Sequence, residues 1–498
     1  MRKEIFRMER VTYKEAEVTK LEDFNLQIYE GEIMGLVPIN NHGRMGLLKL
    51  LQNNLPVYDG YIYYNGERVN SWKGAVQESN KISIIQAENS LVESMSITDN
   101  IFVLRKGFRQ EIIRTGLLKR QLKPFFEEIG MNIPADIRVE RLTVFERVVV
   151  ELLRAVVAGN HLIVINEIGV LISNEELEKF YEILRHYTKK GYSFLYISPH
   201  VEECAGICDR LAILFNGHIQ RIIQKEAFAD EMLRVYPVEY DKMVRYHLEN
   251  RKKYTGNSEE LLRWQYNSEE AEKGFLLTVK RGECLVVQFQ ERKLLQELLR
   301  TMSGDRSHEK GSAFIENRET DFVGDSRVAI VQELPTKTMI FPELDYIDNL
   351  CIALSQRMSK IWNSSRIRRS IRQEYKEFLG DEVFDMQVED LSERQKYQLV
   401  YARIFLQKPR IVFCVSPFQG ADLSHRMRIW KILEKILDEG IALVILSHGL
   451  SDALSLADRI LNISSDGTVN ETVREEFSEI PSQVPWRHIY DREKEGKQ

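Results

Sequence analysis

Between Gly31 and Leu51 the chain reads GEIMGLVPINNHGRMGLLKLL, an apolar run, a loop and a second apolar run in the outline of a phosphate-binding loop between a strand and a helix. The chemistry of such a loop asks for G-x-x-x-x-G-K-[ST]. Glycines let backbone N–H groups wrap the phosphates, the lysine charges the β- and γ-phosphates, and the hydroxyl holds Mg²⁺. The aligned residues here are Pro38, Ile39, Asn40, Asn41, His42, Gly43, Arg44 and Met45. Pro38 fixes φ and removes a donor where the first glycine would stand. Asn40, Asn41 and Gly43 remain as nucleotide-binding candidates, since Asn tolerates positive φ better than most residues. Arg44 keeps the cation as a broad planar fork. Met45 offers magnesium no ligand.

Two further candidates carry proton chemistry. Glu167 closes the apolar run HLIVINE (161 to 167), and His200 lies in YISPHVEE (196 to 203). Each can be a catalytic acid or base, or an ordinary strand-end acid and a surface histidine. Cys204 and Cys208 are four apart and could share a helix face, but no second ligand pair accompanies them, so no zinc site is expected. Five cysteines form no paired framework, which suggests a reducing compartment and the cytoplasm.

The elements that must position these residues recur along the chain. FNLQIYEGE at Phe24 is matched by FLLTVKRGE at Phe275, 251 positions on. VERL at Val139 pairs with VEDL at Val388, Arg154 with Arg403, YIS at Tyr196 with ILS at Ile445, and DRLAIL at Asp209 with DRILNI at Asp458, all 249 apart. Such a repeat makes the 498 residues two copies of one domain. The expected division is 1–240, a charged helix-prone connector at 241–255, and 256–498. Within each copy, apolar runs such as RIVFCVS (410 to 416) alternate with amphipathic ones such as NEELEKFYEILRHYTKKG (174 to 191), which begins at a capping residue and ends at glycine. That alternation predicts α/β domains with a largely parallel sheet.

Taken in order, the motifs resemble the tandem ATP-binding-cassette (ABC) subunits of bacterial monosaccharide importers, the ribose and galactose type. SIIQAENSLVESMSITDNIFV stands where that family has its Gln-containing loop, LTVFERVVVELLRA its signature, LIVINE its Walker B strand and YISPHVEE its His-containing switch. The second copy has LSERQKYQLVYAR, IVFCVSP and VILSHGL in the last three places. The resemblance implies an α/β fold of two tandem P-loop NTPase cassettes, each a mainly parallel sheet with an antiparallel β part and a helical subdomain. It implies ATP as ligand at the first-copy site, with Mg²⁺ whose ligands are largely lost. The implied partners are an ABC-type membrane permease and a sugar-binding protein, the chain being peripheral on the inner face of the membrane.

Carried onto these residues, the family pattern is eroded. Asn166 replaces the Walker B aspartate while Glu167 keeps the place of the catalytic base, and Pro199 takes the switch histidine's place with His200 one residue late. In the second copy VQFQERKLLQELLR (Val287 to Arg300) has no glycine. Aligned without a gap, Leu295 falls at the lysine position and Lys293 reads as solvated. Val415 and Ser416 replace both Walker B acids, and His448 alone falls on a motif residue. The family's site is completed by the other copy's signature, whose glycine is replaced here by Phe145 and Arg394. Ser392 survives there, as a nucleotide donor or as a helix N-cap.

The balance of the chain narrows the partners. It is 43% hydrophobic and 29% charged with net charge −6, which gives no sign of a nucleic-acid partner. No segment approaches the ~20 apolar residues of a membrane span, and the N-terminus has no apolar run behind its basic residues. Two functions compete: an energising subunit of a sugar importer with weak ATP binding and lost hydrolysis, and a non-hydrolysing scaffold or regulator. A third class, the translation-associated tandem cassettes, would bring a long charged linker and intact motifs, and fits poorly.

Overall fold

The computed structural model describes residues 3–15, 18–70, 81–86, 90–103, 115–228, 259–268, 271, 273–304, 311–354, 365–419, 421, 423–448 and 452–480. The chain forms two compact units; of the described residues, 3–228 fall in the first and 259–480 in the second. The expected connector, 241–255, lies outside the described residues.

Each unit has the same two sheets. In the first, a six-stranded sheet runs in the order His218–Gln224, Arg210–Phe215, Ile33–Pro38, Ser193–Ile197, Leu162–Asn166, Ile82–Ile85. All neighbours are parallel except the first pair. The second unit repeats this order as Val469–Val473, Arg459–Ile463, Cys284–Phe289, Ala442–Ser447, Ile411–Val415, Val328–Val331. Runs such as LIVIN and IVFCV are buried at every residue, because a parallel strand covered on both faces has no polar side to show. A four-stranded antiparallel sheet completes each unit, Val18–Tyr29, Glu4–Glu15, Asp59–Tyr64 and Glu67–Arg68 in the first. Helices lie between the strands, among them Thr115–Glu128 and Val144–Val157 in the first unit and Ser365–Leu379 and Glu393–Gln407 in the second.

The helix read from Asn174 starts there, but its cap is one residue earlier. Ser173 Oγ accepts the Glu176 N–H at 3.3 Å and Glu176 Oε2 accepts the Ser173 N–H at 2.8 Å, a capping box that satisfies two donors of the first turn.

Two repeated sequence motifs turn out to bind each other. Glu32, of the Gly-Glu turn, takes Arg210 Nε–H at 2.6 Å and Nη2–H at 3.0 Å, and Asp209 accepts the Ile33 N–H at 2.9 Å. In the second unit Glu283 takes Arg459 Nε–H at 2.7 Å and Asp458 accepts the Cys284 N–H at 2.8 Å. A third repeated clamp holds the segment after the Gln-containing loop. Buried Asn100 accepts from Val92 N–H at 2.8 Å, and buried Asn349 from Phe341 N–H at 2.9 Å.

Candidate functional site

Because Ile33–Pro38, Ser193–Ile197 and Leu162–Asn166 are adjacent and parallel, their C-terminal ends bring three loops to one edge of the sheet, where ligands of such sheets bind. The loops are 39–43, 198–200 and the turn at Glu167.

The first loop is fixed from outside. Ile39 N–H donates to Leu214 O at 2.8 Å. Asn40 Nδ2–H donates to Asn216 Oδ1 at 2.6 Å while its own Oδ1 accepts the Asn216 N–H at 3.3 Å, so Asn40 ties the loop to a hairpin turn. Gly43 precedes the helix Arg44–Gln52 with φ 85°. A Cβ there would meet Lys20 O at 2.7 Å and Gly217 Cα at 2.9 Å, which explains by packing alone why this one motif glycine remains. Asn41 and Met45 are exposed.

The decisive contact joins two candidates read separately from the sequence. Arg44 Nη1–H donates to Glu167 Oε1 in a close ion pair, with side chains 12% and 21% exposed. The residue at the lysine position and the residue at the catalytic-base position therefore neutralise each other. Arg44 Nε and the neighbouring Asn166 Oδ1 are buried without a hydrogen-bond partner among the described residues. At the two cation-ligand positions stand a thioether and a neutral amide, so neither offers magnesium a carboxylate or hydroxyl oxygen. Among the described residues no three His, Cys, Asp or Glu side chains gather as a metal group.

His200 is 2% exposed, so the surface-histidine alternative fails. It caps Val201–Ile207, donating its backbone N–H to Ser198 Oγ at 3.1 Å. Ser198 in turn donates to Glu203 Oε2 at 2.8 Å, and Glu203 fills the space beside Gly169, where a Cβ would meet its oxygens at 2.5 Å. The switch segment is thereby packed onto the turn that follows Glu167.

In the second unit the phosphate loop has been shortened. The strand ends at Phe289 and the helix Arg292–Met302 follows, leaving two residues where the first unit has five. Gln290 N–H still donates to Ile463 O at 3.0 Å, as Ile39 does to Leu214, so the loss falls after that point. The gapless alignment is corrected accordingly: Arg292 takes the first helical place that Arg44 holds, and Leu295 is a buried residue inside the helix. Lys293 is exposed, as expected. Backbone memory persists: Ser416 has φ 42° and donates to Leu446 O at 2.9 Å, as Glu167 has φ 54° and donates to Ile197 O at 2.9 Å.

His448 turns onto this shortened loop. Its Nδ1–H donates to Phe289 O at 3.0 Å and its carbonyl accepts from Gln288 Nε2 at 2.9 Å. Nε2 is buried without a partner among the described residues. Burial, helped by Arg292, lowers its pKa from 6.5 to about 4. The unfolded chain then binds the extra proton first, so stability is full above pH 6.5 and falls as pH drops from there toward 4. The loss should reach on the order of 3 kcal/mol. His448→Gln should flatten the pH dependence of second-unit unfolding over that window, and an unchanged slope would refute the assignment.

Ser392 is the N-cap of Glu393–Gln407. Its hydroxyl donates to Gln395 Oε1 at 2.7 Å and accepts the Gln395 N–H at 3.4 Å. Of the two roles open to Ser392, capping is the one these bonds carry. Phe145 is buried in the first turn of Val144–Val157, and Arg394 is exposed in the first turn of its own helix.

Comparison with known proteins agrees with this architecture. The ABC transporter family model matches residues 21–168. A xylose import ATP-binding protein of Geobacillus kaustophilus is 23% identical, covering 96% of this chain and 98% of its own. A ribose import ATP-binding protein of Caldanaerobacter subterraneus is 24% identical, covering 95% and 97%. Over nearly its whole length the chain is thus similar to sugar-import ATP-binding proteins, and part of its first unit matches the ABC transporter family. A nucleotide-free ATP-binding cassette from an ABC transporter, solved by crystallography, is 15% identical with TM-score 0.40, covering 46% of this chain and 95% of its own. Among the described residues, no helix is long and apolar enough to cross a membrane.

Proposed function

We propose that this chain serves a sugar importer, docked on the inner face of a membrane permease that works with a sugar-binding protein, and that it binds ATP weakly and does not hydrolyse it. The Arg44–Glu167 ion pair carries the reading. A base must be free to take a proton from water, and a lysine-position cation must be free to meet phosphate; here each is held by the other. Met45 and Asn166 add no cation ligand, and the second unit has neither loop nor acid at its equivalent positions.

A scaffold or regulator without any motor role is the second reading. The two-residue loop before Arg292 favours it, since a tandem chain has no further cassette to supply the lost site.

The test is steady-state ATPase on the purified full chain with magnesium. Turnover should match the buffer blank. A rate of even ~1 s⁻¹, the low end of ordinary enzymes, would overturn the proposal.

A further inference from the structure

We infer that the first unit holds a binding site apart from the phosphate loop, a polar cavity beside the outermost strand of its parallel sheet, and that this site takes a carboxamide group. The inference is independent of whether ATP is bound or turned over.

The cavity measures about 160 Å³ and is lined by Gln52, the strand Ile82–Ile85, Ser90, Glu151 and Arg154. That is the size that holds a benzene-sized group, enough for an amide side chain and too little for a sugar ring with its hydroxyls. Ile82–Ile85 ends its sheet and pairs with Leu162–Asn166 alone. Glu151 is 3% exposed. Its Oε1 accepts the Ser90 N–H at 2.7 Å and the Ser90 hydroxyl at 3.1 Å, while its Oε2 has no bond among the described residues. Burial raises the pKa of this carboxyl, the direction expected of an enclosed acid short of donors. Arg154 donates Nη1–H to Ser90 O at 3.1 Å and Nη2–H to Ser90 Oγ, which leaves its Nε–H unbonded among the described residues.

The second unit fills the same place. Val400 stands three residues before Arg403, as Glu151 stands before Arg154. Every nitrogen of the Arg403 guanidinium is used: Nε–H goes to Asn349 O at 2.6 Å, Nη1–H to Met339 O and Nη2–H to Asn349 Oδ1 at 2.8 Å. The outermost strand there, Val328–Val331, is capped by a carboxamide, with Gln407 Nε2–H donating to Val328 O at 2.6 Å and to Ser326 O at 3.4 Å. Gln407 lies four residues after Arg403, and the residue four after Arg154 is Ala158. The copy without the acid thus supplies a carboxamide to its own strand edge, and the copy with the acid has a cavity.

The spare groups decide what fits. A carboxylate oxygen accepts and a guanidinium N–H donates, so the ligand needs a donor and an acceptor on one small group. An anion meets like charge at Glu151, and a cation meets it at Arg154. A carboxamide is neutral and planar, gives N–H to Glu151 Oε2 and receives Arg154 Nε–H on its oxygen. Its source is free glutamine or asparagine, or such a side chain carried on a partner protein.

The experiment is ligand-observed NMR on the full chain with propionamide as the probe and propionate and propylamine as controls of like size. Propionamide should bind about tenfold or more tighter than either control. Glu151→Val, which copies the second unit, should remove that preference, and Arg154→Lys, which keeps the charge and moves the donor, should weaken propionamide about tenfold. The selectivity of the wild-type chain decides the matter even where a variant fails to fold. Displacement of propionamide by L-glutamine would assign the site to the free amino acid, and displacement by N-acetyl-glutamine amide alone would assign it to a side chain on a partner; either supports the inference. Propionate binding as tightly as propionamide, no binding of propionamide, no displacement by either glutamine compound, or unchanged selectivity in a folded Glu151→Val chain would overturn it.

Discussion

Changing Pro38→Gly, Asn41→Gly, Arg44→Lys, Met45→Ser and Asn166→Asp together should raise the affinity of the first unit for ATP about 10²-fold or more, and the gain should vanish in EDTA. The estimate comes from restoring a hydroxyl and a carboxylate to the cation, since hydrogen bonds to charged groups contribute about 1.5–3 kcal/mol each. The structure favours success here because the scaffold of the loop is intact. Gly43 already holds φ 85°, five residues separate strand from helix, and Met45 is 54% exposed, so a serine there disturbs no core. Arg44→Lys also removes the guanidinium that pairs with Glu167 through Nη1. In the second unit, placing Gly, Lys and Ser over residues 290–293 should give no measurable gain, because two residues cannot wrap a phosphate whatever their side chains. Calorimetry on both variants decides the matter. Equal gains, or a first-unit gain below about threefold, would mean that the first loop is not the surviving site.

The fold was legible because its signals are local or repeated. Alternating and continuous apolar runs gave the strands, and five motif pairs at nearly one offset gave the two units. What binds those motifs together was not legible. Glu32 and Arg210 were both flagged by the repeat, yet nothing in a linear chain says that residues 178 apart share a salt bridge. The site suffered more from the same blindness. Arg44 and Glu167, 123 positions apart, were each read as a surviving functional group, and their contact changes what both can do. For His200 a catalytic role and an ordinary surface position were both open, because nothing local in the chain reports its burial, which comes from Ser198 and Glu203 drawing the segment onto Gly169. The three-residue shortening before Arg292 escaped a gapless alignment because Arg292, Lys293 and Leu295 all suit a helix equally well.

Glu283→Ala should destabilise the second unit by about 3–5 kcal/mol, the loss found when one partner of a buried pair is removed. Glu283 and Arg459 are 2% and 12% exposed at the side chain. Arg459 does more than neutralise Glu283, since its Nη2–H also donates to Thr278 O at 2.6 Å on the antiparallel sheet, while Glu283 Oε2 accepts the Lys280 N–H at 2.7 Å. The pair thus joins the two sheets of the unit, and the first unit repeats it through Arg210 Nη2–H to Gln27 O at 2.7 Å. Removing the carboxylate leaves the guanidinium with Thr278 O and the half-exposed Glu471, whose Oε2 lies 3.2 Å from Nη1, and takes away the acceptor of the Lys280 N–H. Trp264 and Trp430 are buried in this unit, so their fluorescence in urea follows its unfolding. The exposed pair Arg263–Glu260 is the control: surface ion pairs are screened and held by mobile side chains, so Arg263→Ala should leave the midpoint where it was. Replacing Glu283 and Arg459 together by leucine and methionine should recover most of the loss, because no charge is then left stranded. A Glu283→Ala midpoint equal to wild type would show that the repeated Gly-Glu and Asp-Arg motifs are kept for some reason other than holding the sheets together.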